Sequence, residues 1–523
     1  MTGAERGLRP PILAGAFTKA ATLAAAVSLW ACDLAPNNHT PHYVLPASYQ
    51  GTGPFKPVRP LDTLPRGPWW ERYGDPLLNQ LEQQLTQENP NLAALAEQYT
   101  QARDMAAEAR AGLWPQISTS GMLSYNKESQ HRPFLSRTSH VPTEEADNEI
   151  QAAASWQPDF WSQIRNRTRA QKRLAQYSAA YLANARLSLQ AELANDYIAL
   201  RGLETQDAVY RESIAYYAQA VQITLQRLQG RIAPALDVAR ARSQLASTQA
   251  LESSVLASRA VYQHAIAVLV NANPSSFSIP SRQALQLSIP AVPVGVPSAL
   301  LQRRPDIAGA ERQMAAANAD IGVARAAFYP NITLSLLGGF EDTGFDLYSL
   351  PNSLWTVGAS AMLPLFEGGL RRAELQQSWS QYAQTRDTYR ATVLSAFQEV
   401  EDGLALTAYL QVQDQQQAEA VVEAAKAQNL SLQLYIGGLT NYLDVVVAQE
   451  TELTAAITEV QVQVSRLQAS VNLILALGGG WSTADLPTEN GVLPFSPLDF
   501  SAGNGPPRND GTGVGVQAAS SLH

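Results

Sequence analysis

One cysteine in 523 residues, Cys32, leaves no material for an internal disulfide or a multi-cysteine metal site. The histidines are scattered (His39, His42, His131, His140, His264, His523), and no His-x-x-x-His pair occurs. Charged residues make up only 16% of the chain and the formal net charge is −9. A nucleic-acid binder needs a basic face that releases counterions, so no nucleic-acid partner is expected. No nucleophile elbow or metal-spaced ligand set is present, so neither an enzyme nor a cofactor is expected. The Gly-rich run at 511–516 mimics a phosphate loop, but no helix pattern follows it, and it lies in a 478–523 tail expected to be partly disordered. No stretch beyond the N-terminal region holds ~18 consecutive apolar residues, which excludes a membrane-crossing helix.

What is present begins with an export signal over residues 1–31. Arg6, Arg9 and Lys19 supply positive charge, and Ala20 to Trp30 form an apolar core too short to span a bilayer. The run "LWAC" that ends at Cys32 reads as a lipoprotein box, in which Cys32 is acylated and becomes the mature N-terminus; Trp30 is bulky for that box. A buried structural cysteine after an ordinary signal is the alternative. Asp33, the next residue, is a retention signal for the inner membrane in some enteric lipoproteins. Residues 32–75 are rich in Pro, Gly and polar types and predict an extended lead-in, with Trp69 and Trp70 anchoring it to something packed.

Thereafter the chain goes round twice, over 76–271 and 299–477, with a linker at 272–298. Asn91 to Pro115 and Asp306 to Pro330 both span 24 positions. "LQRLQGRIAPALDV" from Leu225 matches "LQLYIGGLTNYLDV" from Leu432 at a constant offset of 207 residues. In each unit a helix should stop at Trp114-Pro115 or Tyr329-Pro330, because proline removes a backbone donor and clashes inside a helix. The period then switches to two, predicting strands near 117–125, 150–158, 332–340 and 355–363, each about the length that crosses a bilayer when tilted. Long proline-free stretches follow, in which apolar residues step by three and four: Ile214, Tyr217, Val221, Leu225 and Leu228, then Leu453, Ile457, Val460, Val464 and Leu467. The helix from Gln163 to Leu228 would reach ~100 Å. Turns are expected at about 230–236 and 437–443, so each unit ends in a long antiparallel hairpin.

Four strands cannot close a barrel, and an open edge in hydrocarbon leaves backbone groups unpaired. Three copies would supply twelve strands, with their helices standing in a ring. The predicted class is therefore mainly α with a membrane β-barrel: a homotrimer with a 12-stranded barrel continued by an α-helical barrel. The competing arrangement is a small soluble sheet beside an ordinary bundle.

The double repeat, "LLQRRPDIAGAE" at 300–311, "IGVARAAFYPNITL" at 321–334, "PLFEGG" at 364–369 and "YLDVVVAQ" at 442–449 resemble the outer-membrane efflux factors, nearest to the NodT-type lipoproteins related to TolC and OprM. The resemblance covers about 69–477 and implies an exit duct in the outer membrane, reaching into the periplasm and working in a tripartite efflux pump. Its implied partners are two further copies, a periplasmic adaptor, an inner-membrane transporter with the RND type favoured, and outer-membrane lipid. It also implies that acidic rings at the hairpin tips form a gate, and the matching positions are Asp237 and Asp444. An aspartate just after a turn also caps a helix, and a cap can face a pore. Val447 stands where OprM-type relatives carry a further Asp, which would remove one charged ring; Tyr442 either packs across the tip or belongs to the core. Gly230, Arg231, Ile232 and Ala233, with Gly437, Gly438, Leu439 and Thr440, are the candidates for adaptor docking, although the glycines serve the turns first. "RRPD" is read as structural, with Pro305 at the first helical position and Asp306 at the positive end of the helix. Two other functions compete: a duct for polypeptides in a type I secretion system, and a lipid-anchored coiled-coil scaffold without a pore.

Overall fold

Alternation, proline and glycine divide both halves of the chain in the same order. The computed structural model describes residues 33–41, 49, 67–129, 143–282, 285–290 and 297–493. A 3-10 turn at Trp69–Tyr73 precedes α1 (Pro76–Glu88). The first unit then runs α2 (Pro90–Ala111), β1 (Gln116–Lys127), β2 (Glu144–Trp156), α3 (Gln163–Gln229) and α4 (Ala235–Leu269). After the short α5 (Pro297–Arg303) the second unit repeats it: α6 (Pro305–Ala326), β3 (Asn331–Asp342), β4 (Ser353–Met362), α7 (Leu370–Ile436) and α8 (Tyr442–Ala476). Both descending helices, α3 and α7, have 67 residues, and both ascending helices, α4 and α8, have 35. No helix among the described residues is long and apolar enough to cross a membrane.

The four strands form one antiparallel sheet in the order β1-β2-β3-β4. Its register explains the alternation. One cross-strand row joins Ile117, Ala154, Leu336 and Val357, and the next on that face joins Thr119, Ala152, Gly338 and Trp355. The opposite face carries Gln116, Ser155, Ser335 and Gly358 in one such row. One face is thus apolar and large enough for lipid, the other mostly small and polar. β1 and β4, twelve and ten residues long, each present an outer edge without a partner strand among the described residues. β2 begins at Glu144, earlier than the expected 150, because its first half, Glu144 to Glu149, is polar and carries no alternating signal. That half is fixed instead by pairing with β1, including the Lys127–Glu144 ion pair. Trp161 stacks on Tyr329 at 4.6 Å, and its indole nitrogen donates to the Pro330 carbonyl, so aromatic side chains mark the end of the sheet that meets the helices.

Each ascending helix is continued, across a joint, by the helix that leads into the sheet. At the first joint Asn89 caps α2 by accepting from the backbone of Asn91 and Leu92, while its amide donates to the Leu269 carbonyl at the end of α4 (2.8 Å). At the second, Arg304 occupies the equivalent place: it donates to the Ala476 carbonyl at the end of α8 (3.0 Å) and pairs with Asp306 and Glu399. Arg304 therefore joins α6, α7 and α8, which is the structural work of the "RRPD" stretch.

The largest apolar core surrounds these joints. Trp69, Trp70 and Tyr73 pack into it with Leu78, Leu81 and Leu85 of α1, against Leu193, Tyr197 and Ile198 of α3 and Tyr389 and Val393 of α7. At Gly202 any Cβ would overlap Val464, so glycine is what lets α3 and α8 approach there. Beyond α8 the chain does not leave the body at once: the Pro487 and Val492 carbonyls accept from Gln176 and Arg103, and Val492 is buried.

Glu82 is fully buried in α1, and neither carboxylate oxygen has a hydrogen-bond partner among the described residues. Burial raises its pKa well above the ordinary value. A carboxyl raised on folding contributes fully only below its unfolded pKa, and that contribution is lost as pH rises through the folded value. Glu82→Gln is therefore expected to unfold at a higher temperature than the unsubstituted protein at about pH 8, with the two converging near about pH 4. Thermal melts at the two pH values check this.

Candidate functional site at the hairpin tips

Both tips close in the same way. The Ile232 N–H donates to the Arg227 carbonyl and the Arg231 N–H to Leu228; the Leu439 N–H donates to Leu434 and the Gly438 N–H to Tyr435. This crossed pair ends a helix with one residue in the left-handed region. In the second tip that residue is Gly438 (φ 78°), where no Cβ is strained. In the first it is Arg231 (φ 58°), a side chain held where glycine is preferred. Ile232 and Leu439, equivalent in the repeat, are 66% and 78% exposed, so both tips offer an apolar side chain to their surroundings at the same place. Gly230, Gly437 and Gly438 are exposed beside them, and Ala233 and Thr440 are half-buried.

The two aspartates part company. Asp444 is exposed on the first turn of α8, hydrogen-bonded to the Thr440 hydroxyl, while the Asn441 side chain caps the helix by accepting from the Leu443 and Asp444 N–H groups. Val447, 55% exposed, lies one turn further along the same face. Asp237 requires a correction: it is not an open, pore-lining carboxylate but is buried between the hairpins, and it accepts a hydrogen bond from the Tyr435 hydroxyl (3.0 Å). Tyr442 is likewise core, 1% exposed and edge-on to Tyr435 with centroids 5.1 Å apart. Val221, Ala241 and Val445 complete this small apolar cluster.

Tyr435 and Arg227 were not anticipated. Arg227 of α3 lies over the Tyr435 ring, 4.8 Å from its centroid, and donates to the Ile436 carbonyl at the end of α7 (2.8 Å). The tip of the first hairpin thus grips the tip of the second through two contacts, Asp237 with Tyr435 and Arg227 with the end of α7. Burial, with the hydrogen bond to Asp237 and its charge, pushes the Tyr435 pKa up to about 12, so its hydroxyl stays a donor throughout the neutral range. A signal for this contact existed in the repeat: at the offset of 207, Tyr435 stands against Leu228, a polar aromatic where the other copy has a plain aliphatic. Cys32 lies outside the described residues.

The model of the family described as "Outer membrane efflux protein" matches residues 81–272 and 296–479. The chain is 31% identical over 419 residues to the "Pyoverdine export outer membrane protein OpmQ" of Pseudomonas aeruginosa, covering 79% of this chain and 88% of that protein. It is 29% identical over 465 residues to the "Toluene efflux pump outer membrane protein TtgC" of Pseudomonas putida, covering 87% and 93%. Among solved structures, the outer-membrane channel OprN superposes with a TM-score of 0.80 at 26% identity, over 86% of this chain and all of that one.

Proposed function

From the membership of this chain in the outer membrane efflux protein family, we propose that three copies of it form the exit duct of a tripartite efflux pump. The chain is an outer-membrane efflux channel protein; the reading beyond that concerns its assembly, anchor, cargo and gate. The observation that carries the assembly is the sheet, with one apolar face and two edges unpaired among the described residues, continued by two hairpins built on 67-residue helices. Unpaired edges in hydrocarbon cost several kcal/mol per group. Edge-to-edge closure by three copies removes them and gives a barrel of twelve strands, beneath which the hairpins form a tube.

In this reading the tips are the periplasmic end. The intrachain grip between Tyr435 and Asp237 holds the two hairpins of each copy together and so holds the tube narrow. Asp444 and Val447, exposed one turn apart, supply a ring of carboxylates and, next to it, an apolar ring that resists wetting. Ile232 and Leu439, with the strained Arg231, are the contacts for a periplasmic adaptor, which connects to an inner-membrane transporter of the RND type. Cys32 carries the lipid anchor. The relatives named for pyoverdine and toluene favour small-molecule cargo.

The test is direct. Purified protein should run as a detergent-solubilised trimer and conduct in planar bilayers, and a deletion strain should gain sensitivity to drugs or dyes. A water-soluble monomer without conductance would end the duct reading. Loss of one secreted polypeptide, with drug sensitivity unchanged, would replace efflux with secretion.

A further inference from the structure

Residues Asp33 to Pro36 are held by side chains from both repeat units. The Asp33 carboxylate accepts from the Asn166 amide (3.0 Å) and from the Arg169 guanidinium (2.9 Å), both in the first two turns of α3. Arg169 is itself oriented by the Asn166 side-chain carbonyl (2.8 Å). The Leu34 carbonyl accepts from Arg325 (3.0 Å) and the Pro36 carbonyl from Asn318 (2.8 Å), both on α6. Arg325 is fixed in turn over the Trp379 ring of α7. Asn166 is fully buried and Asn318 is 5% exposed, so these amides are built into the helix packing rather than free on the surface. Under the segment lies Gly322, where a Cβ would come within 2.9 Å of the Ala35 Cβ. The four side chains meet the strap as donors, and the strap offers one carboxylate and two carbonyls.

We propose that the groove between α3 and α6 is a docking site for the peptide that follows the lipidated cysteine, with Asp33 as the one side chain it reads. The proposal rests on the anchor reading of Cys32 for its purpose, but its geometry involves described residues only. α3 starts seven residues after the end of β2, and α6 ends five residues before β3, so the groove lies where the helices meet the sheet. Docking there fixes the exit of the acyl chains beside the membrane-spanning strands, and it places the constraint on α3 and α6 together. It also occupies both carboxylate oxygens of Asp33. The charge that some sorting systems read is therefore available before the helices pack and paired afterwards.

The test uses the full lipidated chain, in which acylation consumes the Cys32 thiol and leaves an introduced cysteine as the sole reactive one. A nitroxide on Asn37→Cys, in an exposed position one residue past the strap, is expected to give an immobilised spectrum. Asn166→Ala with Arg169→Ala should shorten its correlation time at least about threefold, as both charge-assisted hydrogen bonds to Asp33 are lost. Asp33→Ala, a change on the strap that cannot unfold the helices, should do the same, while Asp33→Asn should recover part of the immobilisation. An unchanged spectrum in both Asp33→Ala and the double variant would overturn the groove. A Cys32→Ser chain that stays immobilised supports it, because the groove then holds the peptide without the lipid. A Cys32→Ser chain that becomes mobile would overturn it, because the lipid and not the groove then holds the strap. Intact mass of the unsubstituted protein reads the anchor separately: an unmodified Cys32 ends the lipid reading, and the same variants in the Cys32→Ser background, where the introduced cysteine is again the sole thiol, judge the groove.

Discussion

Tyr435→Phe is expected to open the duct. The substitution keeps the ring, its packing on Tyr442 and its contact with Arg227, and removes only the hydroxyl that Asp237 accepts from. Hydrogen bonds to charged groups contribute ~1.5–3 kcal/mol, and a buried carboxylate left without its donor adds a desolvation cost. The closed arrangement alone suffers this loss if opening swings the hairpins apart and lets water reach Asp237. Each chain then shifts toward the open state by about one to two orders of magnitude in equilibrium constant. Asp237→Asn weakens the same contact by removing its charge, and Arg227→Ala removes the second grip, on the Ile436 carbonyl. The expected readings are a several-fold rise in single-channel open probability in planar bilayers and entry of large antibiotics that the outer membrane normally excludes. Because the Tyr435 hydroxyl loses its proton only at about 12, moderately alkaline medium should leave the unsubstituted channel shut. Unchanged conductance in all three variants would show that the tip contact is ordinary packing and that the gate lies elsewhere.

This contact shows where sequence reading succeeds and where it stops. Periodicity and proline mark elements because they are local: Pro115 and Pro330 end helices, and the change to period two after each announces a strand. The repeat offset of 207 likewise fixes equivalent turns without any fold. It cannot tell which equivalent residues keep equivalent surroundings. Asp237 and Asp444 match in sequence, yet Asp237 has Tyr435 across from it, 198 residues away, and Asp444 remains exposed beside Thr440. The repeat is symmetric in backbone and asymmetric in what faces each position. The early start of β2 at Glu144 failed for a related reason, since a polar segment becomes a strand through its partner strand rather than through its own pattern. The joints make the point again: Asn89 and Arg304 share a position and a task, bridging two helix ends, but one does it with an amide and the other with a guanidinium.

Glu204→Ala is expected to be the most destabilising single change in the chain. Glu204 is 3% exposed and receives Arg201 at 2.6 Å on one oxygen and Arg259 at 2.7 Å on the other, with the Arg282 N–H also donating to it. Arg201, itself 3% exposed, donates to the Tyr197 hydroxyl and the Pro280 carbonyl; Tyr197 passes its proton's hydrogen bond to Asp75, which pairs with Arg282. Burial works against ionisation of Asp75, but the donors Tyr197 and Leu77 and the charge of Arg282 outweigh it and hold its pKa below the usual carboxylate range. The network ties residues 279–282 and the N-cap of α1 to α3 and α4, where helical periodicity in the sequence gives no hint of it. Cutting out Glu204 leaves Arg201 buried and facing no carboxylate, and removing one partner of a buried ion pair typically costs ~3–5 kcal/mol. The fraction of folded trimer recovered from membranes should fall steeply, and what remains should melt several degrees lower. Glu423→Ala makes the contrast, because its partner Lys426 and Glu423 itself are both mostly exposed, and such a pair contributes only ~0–1 kcal/mol. The joint replacement Arg201→Met, Glu204→Leu and Arg259→Met, which removes the carboxylate with both of its arginines, separates charge from packing: buried ion pairs or triads exchanged for apolar groups of similar volume are often neutral. Recovery of stability in that variant would mean the network serves mainly to keep its own charges satisfied. Failure to recover would mean that the contacts of Arg201 to the Pro280 carbonyl and of Arg259 to the Ile279 carbonyl are what hold residues 279–282 against the helices, since those carbonyls lose their donors whichever apolar side chains fill the space.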